Sequence, residues 1–385
     1  MEKKRVIIGR TNLPDRDPRL TKEVDALKSA GYTVTLLCWD RECKAPRSEQ
    51  REIAEIRLRL KAPWGVKILC FLPIWWCFVF YHLTVGSWDI AHGINFDSIV
   101  PMTLAGKMKR RPVIYEMYDV YEDSILLPKV LRRVFLMIDK VFMRLAKSIV
   151  IVDKARIKQL NGIPNKNISV VYNSPPDFFK GLTTPSQKKQ TGREFTVFYA
   201  ASLFRVRRLN LDKVIAAIKG IDDARLIIAG FGDQVEDIKR WVNDAPGKTQ
   251  FIGQISYNEA IRLTARSDLA VALYNPIRPQ NRFASPNKLF EAMMCRKPIL
   301  VSEGTTMADI VRKWNCGIVV NCGDVTEIRS AIVKLKDNPE LCRQLGANGR
   351  KAYEQKYDWK FMEQRLTSLY QEIANKVAPT ANRST

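Results

Sequence analysis

The chain has 385 residues, 46% of them hydrophobic, and a formal net charge of +23. A chain of this length favours two domains over one core, and the charge calls for an anionic partner or surface. The eight cysteines contain no C-x-x-C pair and only His82 and His92 accompany them, which disfavours a zinc site and predicts reduced, packed thiols.

The first half of the chain alternates between beta-type runs and helical periodicity. The run RVIIG (5–9) is followed by a periodic stretch over 19–30 and by TVTLLCW (33–39). The same rhythm continues through 88–93, 97–109, 112–117, 130–147, 148–153 and 168–173. Such alternation predicts an α/β fold with a parallel sheet and crossover helices, and we assign it to a first domain over 1–178.

A linker and a second domain follow. Residues 179–194 are rich in Pro, Gly, Ser, Thr and Lys and poor in apolar side chains, which is typical of a linker. The alternation restarts at FTVFYAA (195–201) and predicts a second doubly wound domain over 195–355. A helix is predicted over 356–377, and the tail 378–385 has the composition of a disordered end.

Two features bear on membranes. The apolar segment 64–88 has an uninterrupted apolar run of only 14 residues, from Ile68 to Tyr81, so we predict a core helix too short to span a bilayer, with aromatic residues that also suit the interfacial zone. Between Gly106 and Lys158, Lys and Arg outnumber Asp and Glu by 13 to 6, which suits anionic lipid. An apolar helical stripe runs beside these cations, and it is read either as an ordinary core stripe under a solvated basic face or as a peripheral membrane element. Its members are Leu131, Val134, Phe135, Ile138, Val141, Phe142 and Leu145.

Location and nucleic-acid binding are judged from missing signals. The N-terminal residues lack the apolar stretch and cleavage site of a secretory signal, so we expect a cytoplasmic protein, peripheral on the inner face of the membrane if the basic face binds lipid. No zinc-finger spacing or RRM-type aromatic motif supports nucleic acid as the anionic partner.

The loops that follow strands are the expected place of chemistry in parallel sheets. In NRFASPNKLFE (281–291), Ser285, Pro286, Asn287, Lys288 and Glu291 lie at a predicted helix start, where free N–H groups and the Lys288 charge suit a phosphate; the alternative is an ordinary capped helix. The loop AASLFRVRR (200–208) brings Arg205, Arg207 and Arg208, whose charges suit a diphosphate. In AGFGDQ, Gly230 and Gly232 allow close backbone approach, which is a weak signal by itself.

The order and spacing of these segments resemble the donor-binding half of the retaining GT-B glycosyltransferases of the glycosyltransferase 4 class, also called group 1 glycosyl transferases. The resemblance covers nearly all of 195–376, and DPRLTKEVDALKSAGYTVTLLCW, WDIAHGINFDSIVP and RPVIYEMYDVYEDS are similar to the family's acceptor-domain motifs. It implies two Rossmann-like doubly wound domains that face each other across a cleft. It also implies a last helix that crosses back to the first domain near Tyr357–Trp359.

The resemblance assigns roles residue by residue. Glu291 matches the second glutamate of the family's Glu, seven residues, Glu motif and would bind ribose, while the turn of Ser285, Pro286, Asn287, Lys288 and Leu289 would meet the diphosphate. Arg207 or Arg208 would neutralise it, and Ile252 with Gly253 would touch the base. On the acceptor side, the resemblance points to Asp119 and Tyr118, which would orient the acceptor hydroxyl, and to Arg16, Asp17, Arg19, His92 and Asn95.

Several positions depart from the family's pattern. The first glutamate is Phe283, the following Gly-Phe-Gly is Ala284-Ser285-Pro286, and the acceptor-domain histidine is Tyr118. The expected glycine-rich turn after the first strand is replaced by Asp15, Arg16, Asp17 and Arg19. We interpret Asp15-Arg16-Asp17 as an acceptor loop rather than a metal site, and His92 as more typical of a structural histidine than of a catalytic one.

We therefore expect a hexosyltransferase that moves a sugar, with retention and without metal or cofactor, from a UDP or GDP sugar to a lipid-linked or other membrane-proximal glycan. Catalysis would rest on Asp119, Tyr118, Lys288 and Arg208. The alternative is a non-catalytic GT-B subunit that recruits or activates a partner transferase, which would explain Phe283 and Tyr118. A sugar-nucleotide epimerase of the same fold is disfavoured because histidines are scarce.

Overall fold

The computed structural model describes residues 3–43, 54–63, 65–124, 128–180, 193–202 and 210–376. The chain divides into two compact units. The first contains Met1–Tyr172 and Met362–Thr385, and the second contains Asn173–Phe361. The predicted tail 378–385 and most of the predicted linker, residues 181–192, lie outside the described residues.

The first unit is built on a seven-stranded sheet. Every pairing in it is parallel, and Val6 of the first strand, for example, is in register with Val34 and Ile90 of its two neighbours. The strands are β1 (Arg5–Arg10), β2 (Thr33–Asp40), β3 (Ala54–Arg59), β4 (Ile90–Ile94), β5 (Val113–Met117), β6 (Ser148–Ile151) and β7 (Ile168–Val170). Their order is β3-β2-β1-β4-β5-β6-β7, which is the doubly wound arrangement that the alternation predicts.

Helices connect these strands. They are α1 (Pro18–Ser29), α2 (Leu72–Val85), α3 (Asn95–Lys109), α4 (Tyr121–Ser124), α5 (Lys129–Leu145) and α6 (Ala155–Gln159). Helix α1 begins where Pro18 occupies the first turn and the Asp17 carboxylate accepts from the Leu20 N–H, so a sequence signal fixes its start. Helices α2, α3 and α5 pack side by side and share one apolar core with the sheet.

The apolar segment 64–88 forms a longer helix than its apolar run predicts. A 3₁₀ stretch (Gly65–Phe71) leads into α2, and the helical segment Val66–Val85 has 20 residues because Lys67, His82 and Thr84 do not interrupt it. By length and composition it suffices to cross a membrane, with 28% of the segment buried in the protein. The side that carries Leu72, Trp75, Val79 and Leu83 is buried in the core, as predicted for a core helix.

The second unit repeats the architecture. Its strands are β8 (Phe195–Ser202), β9 (Ala224–Phe231), β10 (Thr249–Phe251), β11 (Leu269–Ala272), β12 (Ile299–Ser302) and β13 (Gly317–Val320), all parallel, in the order β10-β9-β8-β11-β12-β13. Its helices are α7 (Leu211–Lys219), α8 (Val235–Asn243), α9 (Tyr257–Arg266), α10 (Pro279–Arg282), α11 (Asn287–Met294), α12 (Thr306–Trp314), α13 (Val325–Lys336) and α14 (Pro339–Ala352). The side chains of Ser256, Thr305, Asp324 and Asn338 cap four of them.

The chain leaves the second unit through a π-helical turn (Tyr353–Tyr357) and α15 (Trp359–Lys376). Before this turn, the Arg350 guanidinium pairs with Asp177 at 2.6 Å, which ties α14 to the start of the second unit. From Met362 onward α15 belongs to the first unit. There the Tyr370 hydroxyl lies 2.6 Å from His92 Nδ1, so a buried hydrogen bond joins α15 to β4.

Each sheet has one place where the strand order reverses, beside β1 and β4 in the first unit and beside β8 and β11 in the second. Ligands of open α/β sheets bind beyond the carboxyl ends of the strands at such a point. The loops that follow β4 and β5, and those that follow β8 to β12, are therefore where a site is expected.

Candidate functional site

The first turn of α11 has no side-chain cap. Pro286 precedes it with extended backbone (φ −76°, ψ 148°). An α-helix leaves its first N–H groups without intrahelical partners, and these carry the positive end of the helix dipole. Helices α9, α12, α13 and α14 of the second unit have a Ser, Thr, Asp or Asn side chain on these groups, whereas α11, like α7, α8 and α10, has none. The first N–H groups of α11 are therefore available to an anion.

Lys288 lies in this first turn with a buried ammonium. Its Nζ has no hydrogen-bond partner among the described residues, and it lies 4.5 Å from the ring centre of Tyr199 and 5.6 Å from that of Tyr274. Burial lowers the pKa of Lys288 to about 8, against the opposing effect of the Glu291 carboxylate. The two rings provide some cation–π stabilisation but no acceptor oxygen, so the amine lacks the partner that a buried charge requires.

Ser285 adds a second polar group without a partner. Its Oγ is buried and bonds to no described residue. The loop itself is fixed, because Asn173 donates to the Ser285 carbonyl at 3.1 Å and Thr306 donates to the Ala284 carbonyl at 3.0 Å. A hydroxyl, an ammonium and open helix N–H groups within one short stretch form the donor set that binds phosphate.

Tyr257 and Glu291 form the other side of this region. Burial, the charge of the Glu291 carboxylate and a hydrogen bond to it raise the pKa of Tyr257. The Tyr257 ring packs against Phe178 with the ring centres 5.9 Å apart, which holds the phenol in place. Sequence reasoning missed Tyr257, and also Tyr199 and Tyr274, because each looks like an ordinary core aromatic; their shared position beside α11 shows only in three dimensions.

The loops after β9 and β10 meet at the same edge of the sheet. The Gly230 N–H donates to the Gly253 carbonyl at 2.8 Å, and the Ile252 N–H donates to the Ile228 carbonyl at 3.0 Å. Gly253 adopts φ 73°, a left-handed conformation that favours glycine, and a side chain added there would meet no atom within 4 Å. Gly230 and Gly253 are therefore neighbours at this edge. The roles of Gly230, Gly232, Ile252 and Gly253 in binding a donor stay predictions.

Two sets of predicted donor residues have a different outcome. Arg205, Arg207 and Arg208 lie outside the described residues, and their roles stay predictions. Leu289 was predicted to contact the donor, but its side chain is fully buried in the core and does not face a ligand. The reason is helical geometry: Leu289 follows Lys288 by 100° around α11 and turns toward the sheet.

In the first unit, Asp119 is the predicted site residue with an accessible carboxylate. Its side chain is 45% exposed, and Oδ1 accepts from Arg156 Nη2 at 3.0 Å. Asn95, with φ 61°, accepts through Oδ1 from the Tyr118 N–H at 2.9 Å and from the Asp119 N–H at 3.4 Å. Asn95 therefore fixes the loop that presents Asp119, which is a positioning role.

Tyr118 does not present its hydroxyl outward. The phenol donates to Glu23 at 3.1 Å, and the guanidinium carbons of Arg10 and Arg19 lie 4.6 Å and 4.9 Å from its ring centre. Burial and the nearby carboxylates raise the pKa of Tyr118 well above its usual value. The sequence analysis expects this hydroxyl to orient an acceptor. In the structure it is instead hydrogen-bonded to the buried carboxylate of Glu23.

Arg19 and His92 belong to a buried charge network rather than to an open site. Arg19 pairs with Glu23 at 2.8 Å and also with Glu116, while His92 Nε2 lies 3.0 Å from Glu116 and Nδ1 contacts Tyr370. Burial opposes ionisation, yet Arg19 and His92 lower the pKa of Glu116 to about 2. Burial and the charge of Glu116 raise the pKa of Glu23 well above its usual value. The acceptor-side prediction for Arg19 and His92 is therefore replaced by a structural role.

Asp15, Arg16 and Asp17 form the short turn before α1. The 3₁₀ turn covers Pro14–Arg16, and the side chain of Arg16 is outside the description. Asp17 is used locally: it caps α1 and accepts from Arg10 Nε at 2.9 Å. Within the described ranges no group of three His, Cys, Asp or Glu side chains is placed to hold a metal ion.

Comparisons with known proteins show which family and fold the chain is similar to. The family model of "Glycosyl transferases group 1" matches residues 183–352, which contain the open helix start, Lys288 and Glu291. The chain is 26% identical over 201 residues to a GDP-mannose-dependent monoacylated alpha-(1-6)-phosphatidylinositol monomannoside mannosyltransferase of Corynebacterium glutamicum, covering 49% of this chain and 52% of that protein. It is 25% identical over 218 residues to an N-acetyl-alpha-D-glucosaminyl L-malate synthase of Bacillus anthracis, covering 54% of each. The chain thus spans about half the length of the curated relatives it matches.

Solved structures match over nearly the whole chain. The sucrose-phosphate synthase of Thermosynechococcus elongatus has a TM-score of 0.77 at 17% identity, covering 97% of this chain and all of that one. HepE of Anabaena, in complex with UDP-glucose, has a TM-score of 0.70 at 16% identity, covering 96% and 99%. These likenesses show the GT-B fold, as predicted. The chain therefore has the GT-B fold, and its residues 183–352 are similar to the group 1 glycosyl transferases.

Proposed function

We propose that the protein is a nucleotide-sugar-dependent glycosyltransferase whose donor diphosphate binds at the start of α11. The observation that carries this proposal is the buried Lys288 ammonium without a partner, next to an uncapped helix N-terminus and the unpartnered Ser285 hydroxyl. The cost of burying these groups is offset when an anion binds them, which makes the site selective for a doubly charged diphosphate over a neutral sugar.

The donor would extend along the carboxyl edge of the second sheet. Glu291, held by Tyr257, would accept hydrogen bonds from the ribose hydroxyls, and the backbone near Ile252 and Gly253 would contact the base. In the reaction, the bond between the anomeric carbon and the diphosphate oxygen breaks and a bond from the acceptor oxygen to that carbon forms. The proton of the acceptor hydroxyl passes to the leaving diphosphate, on whose oxygen negative charge develops. Lys288 and the α11 dipole would stabilise that charge without a metal, and Arg208 would add to it, as in electrostatic catalysis generally.

The donor class rests on shared chemistry. The relative from Corynebacterium is named for GDP-mannose, and the Anabaena structure contains UDP-glucose. Both donors carry a nucleoside diphosphate, which is the part that Lys288 and Ser285 would bind. We propose a UDP or GDP hexose accordingly. Retention of configuration rests on the family resemblance.

The acceptor would be a lipid-linked or other membrane-proximal glycan at the cytoplasmic face of a membrane. Two relatives are named for phosphatidylinositol-based acceptors, one from Corynebacterium and one from Mycobacterium leprae. In the first unit, Asp119 is the exposed carboxylate next to the switch point of the sheet and would bind the acceptor hydroxyl. Tyr118 supports the loop from inside.

A non-catalytic subunit is the second candidate, and one observation favours it. Phe283 stands where the family has its first glutamate, and its ring packs near the Arg282 guanidinium at 5.8 Å. A phenyl ring cannot accept the hydrogen bonds that a carboxylate would take from the transferred sugar. Such a protein would keep nucleotide binding at α11 without transfer, or would lose both.

Thermal stability against a panel of nucleoside diphosphates and nucleotide sugars tests the proposal. A ligand that binds only the folded state raises stability by RT ln(1 + [L]/Kd). We expect a selective rise with one UDP or GDP hexose that disappears in Glu291→Ala and persists in Glu340→Ala, a control at an exposed carboxylate of α14. If no nucleotide produces a rise in the wild-type protein, the donor site is refuted.

A further inference from the structure

Helix α5 has two apolar sides, and only one of them packs. Phe135 and Phe142 point inward, with their ring centres 4.6 Å and 6.0 Å from that of Phe96 on α3, and Met143 is fully buried. The other apolar residues point to solvent. We call them the outer stripe: Leu131, Val134, Met137, Ile138, Val141 and Leu145, which are between 39% and 62% exposed. The single stripe expected from the sequence is thus divided between core and surface.

This exposure is unusual because the outer stripe is continuous. Its members recur at intervals of three and four residues, so they share one side of a helix about 25 Å long. On α3, which packs against α5, Leu104 and Met108 are also more than half exposed. Scattered apolar side chains on a surface are ordinary, but a contiguous apolar side marks a place of interaction.

Cations flank the outer stripe along one side. Arg133, Lys140 and Arg144 lie on the adjacent helical face and form no ion pair with a carboxylate among the described residues. Arg132 differs, because it turns toward Asp123 at 2.6 Å. Lys140 donates to the Asn161 carbonyl at 3.2 Å, which does not neutralise its charge. The cations without a carboxylate partner are therefore the ones beside the exposed apolar side chains.

A basic groove continues this surface at the end of α5. Its volume is about 640 Å³, and it lies before β5, β6 and β7, at the amino edge of the sheet and away from Asp119. Leu145 lines it, so the groove adjoins the outer stripe. Its cationic lining consists of Lys107, Arg110, Arg111, Arg144, Lys147 and Lys166, together with Lys376 of α15. Asp89 neutralises one of these, Arg111, at 3.2 Å.

We propose that the outer stripe and the basic groove dock the first unit onto an anionic phospholipid bilayer. The apolar side chains would enter the boundary between headgroups and acyl chains, with α5 parallel to the membrane plane, while the cations bind lipid phosphates. The apolar side of the helix fits the acyl chains of this partner, and the Lys and Arg side chains beside it fit the lipid phosphates.

Charge complementarity favours a bilayer over the other occupants. In a symmetric dimer the same surface meets itself, so the unpaired arginines and lysines of two copies would face one another and repel. Nucleic acid would neutralise the cations but leave the outer stripe in water. Only a surface that is both anionic and apolar satisfies both sets of residues. The docking surface does not involve α11, so it stands or fails separately from the donor site.

Sedimentation of the full chain with vesicles tests this inference. We expect binding to vesicles of phosphatidylcholine mixed with phosphatidylglycerol, little binding to phosphatidylcholine alone, and weakening at high salt. The double variant Val134→Ser and Ile138→Ser should bind vesicles roughly tenfold more weakly or worse, since it removes two apolar side chains that would be buried in the membrane. Ile277→Ser, at an apolar residue of the second unit that is 86% exposed, is the matched control and should bind like wild type.

A second variant separates docking from folding. Arg133→Glu with Arg144→Glu changes two exposed side chains and should also reduce vesicle binding by roughly tenfold or more, with the thermal midpoint unchanged. Absence of binding at low salt, or binding that neither double variant reduces, overturns the inference. A dimer in light scattering that dissociates in Val134→Ser and Ile138→Ser would identify a second copy as the occupant and overturn it as well. Nucleic-acid binding that needs the arginines but not the outer stripe would do the same.

Discussion

Replacing Lys288 by Met should stabilise the protein while removing its nucleotide site. Methionine keeps the length of the stem and removes the buried ammonium, which has no acceptor in the ligand-free protein. The same group is expected to be needed once a diphosphate is present. Stability and binding should therefore change in opposite directions, which is the signature of a residue whose native environment is completed only by a ligand.

The magnitude follows from the pKa. Burial lowers the pKa of Lys288 from 10.5 to about 8, and at 1.36 kcal/mol per pH unit the charged form is disfavoured by about 3 kcal/mol in the folded protein. We take about 2–3 kcal/mol as the gain at pH 7, because the ammonium keeps its contacts with two rings. For a unit of this size, that gain raises the Tm by roughly 5–10 °C.

The same pKa shift makes the stability depend on pH. The folded protein releases the Lys288 proton at about pH 8, whereas the unfolded chain holds it up to 10.5. Wild-type stability should therefore rise between pH 8 and 10.5 from this group, and the advantage of Lys288→Met should shrink over the same interval. Below pH 8 the advantage should be constant.

Calorimetric or fluorescence melting of both proteins, with and without nucleoside diphosphate, is the assay. Lys213→Met is the control, because Lys213 of α7 has an exposed side chain, and it should change the free energy of unfolding by less than about 0.5 kcal/mol. A Lys288→Met protein that is less stable than wild type, or one that binds nucleotide as tightly, would show that the Lys288 ammonium is not a buried charge that a diphosphate completes.

Three further predictions concern the buried groups. Glu116→Gln should destabilise the first unit by about 3–5 kcal/mol in chemical denaturation, since Arg19 and His92 lose their shared carboxylate. Glu23→Gln should cost less than half as much, because Glu23 is the member of the Glu23–Glu116 pair that holds a proton. Equal losses of stability in the two variants would contradict the assignment of the proton to Glu23. The wild type should lose stability as the pH falls from 4.5 toward 2, because the folded pKa of Glu116 lies at about 2 and its contribution exists only above it; Glu116→Gln should not show that loss. Tyr257→Phe should weaken nucleotide binding by roughly five- to tenfold in titration calorimetry, since Glu291 loses the donor that orients it; unchanged affinity would remove Glu291 from the ribose.

The fold follows closely from the sequence because each sheet leaves strong local signals. Apolar runs such as RVIIG and ARLIIAG lie between amphipathic stretches, and a strand that is buried on both sides needs such a run. Asp17, which the resemblance assigns to the acceptor side, instead caps α1, and that role appears only in the structure. The length of the helix over 66–85 was underestimated, because counting an uninterrupted apolar run stops at the polar residues that a helix tolerates.

The candidate site was predictable only where the chemistry is local. Ser285, Lys288 and Glu291 stand out because one helix start carries all of them. The acceptor-side predictions for Tyr118 and Arg19 differ from the structure for the opposite reason: each residue is polar at a strand end or a helix start, and only the packing of Glu23 and Glu116 reveals that they are satisfied inside the unit. His92 has the structural place that the sequence analysis favoured over a catalytic one. Long-range pairing of buried charges leaves no periodic signal in a sequence.

The most direct test of the account is transfer itself. Purified protein would be incubated with UDP and GDP hexoses that carry a radiolabelled sugar, together with a lipid extract, and label in the lipid fraction would be counted for the wild type, Lys288→Met and Asp119→Asn. We expect transfer from one donor by the wild type, and at least a hundredfold loss in both variants with the fold retained, in the range expected when one stabilising group is removed. Undiminished transfer in Lys288→Met would contradict it, and nucleotide binding without transfer from any donor would favour the non-catalytic subunit.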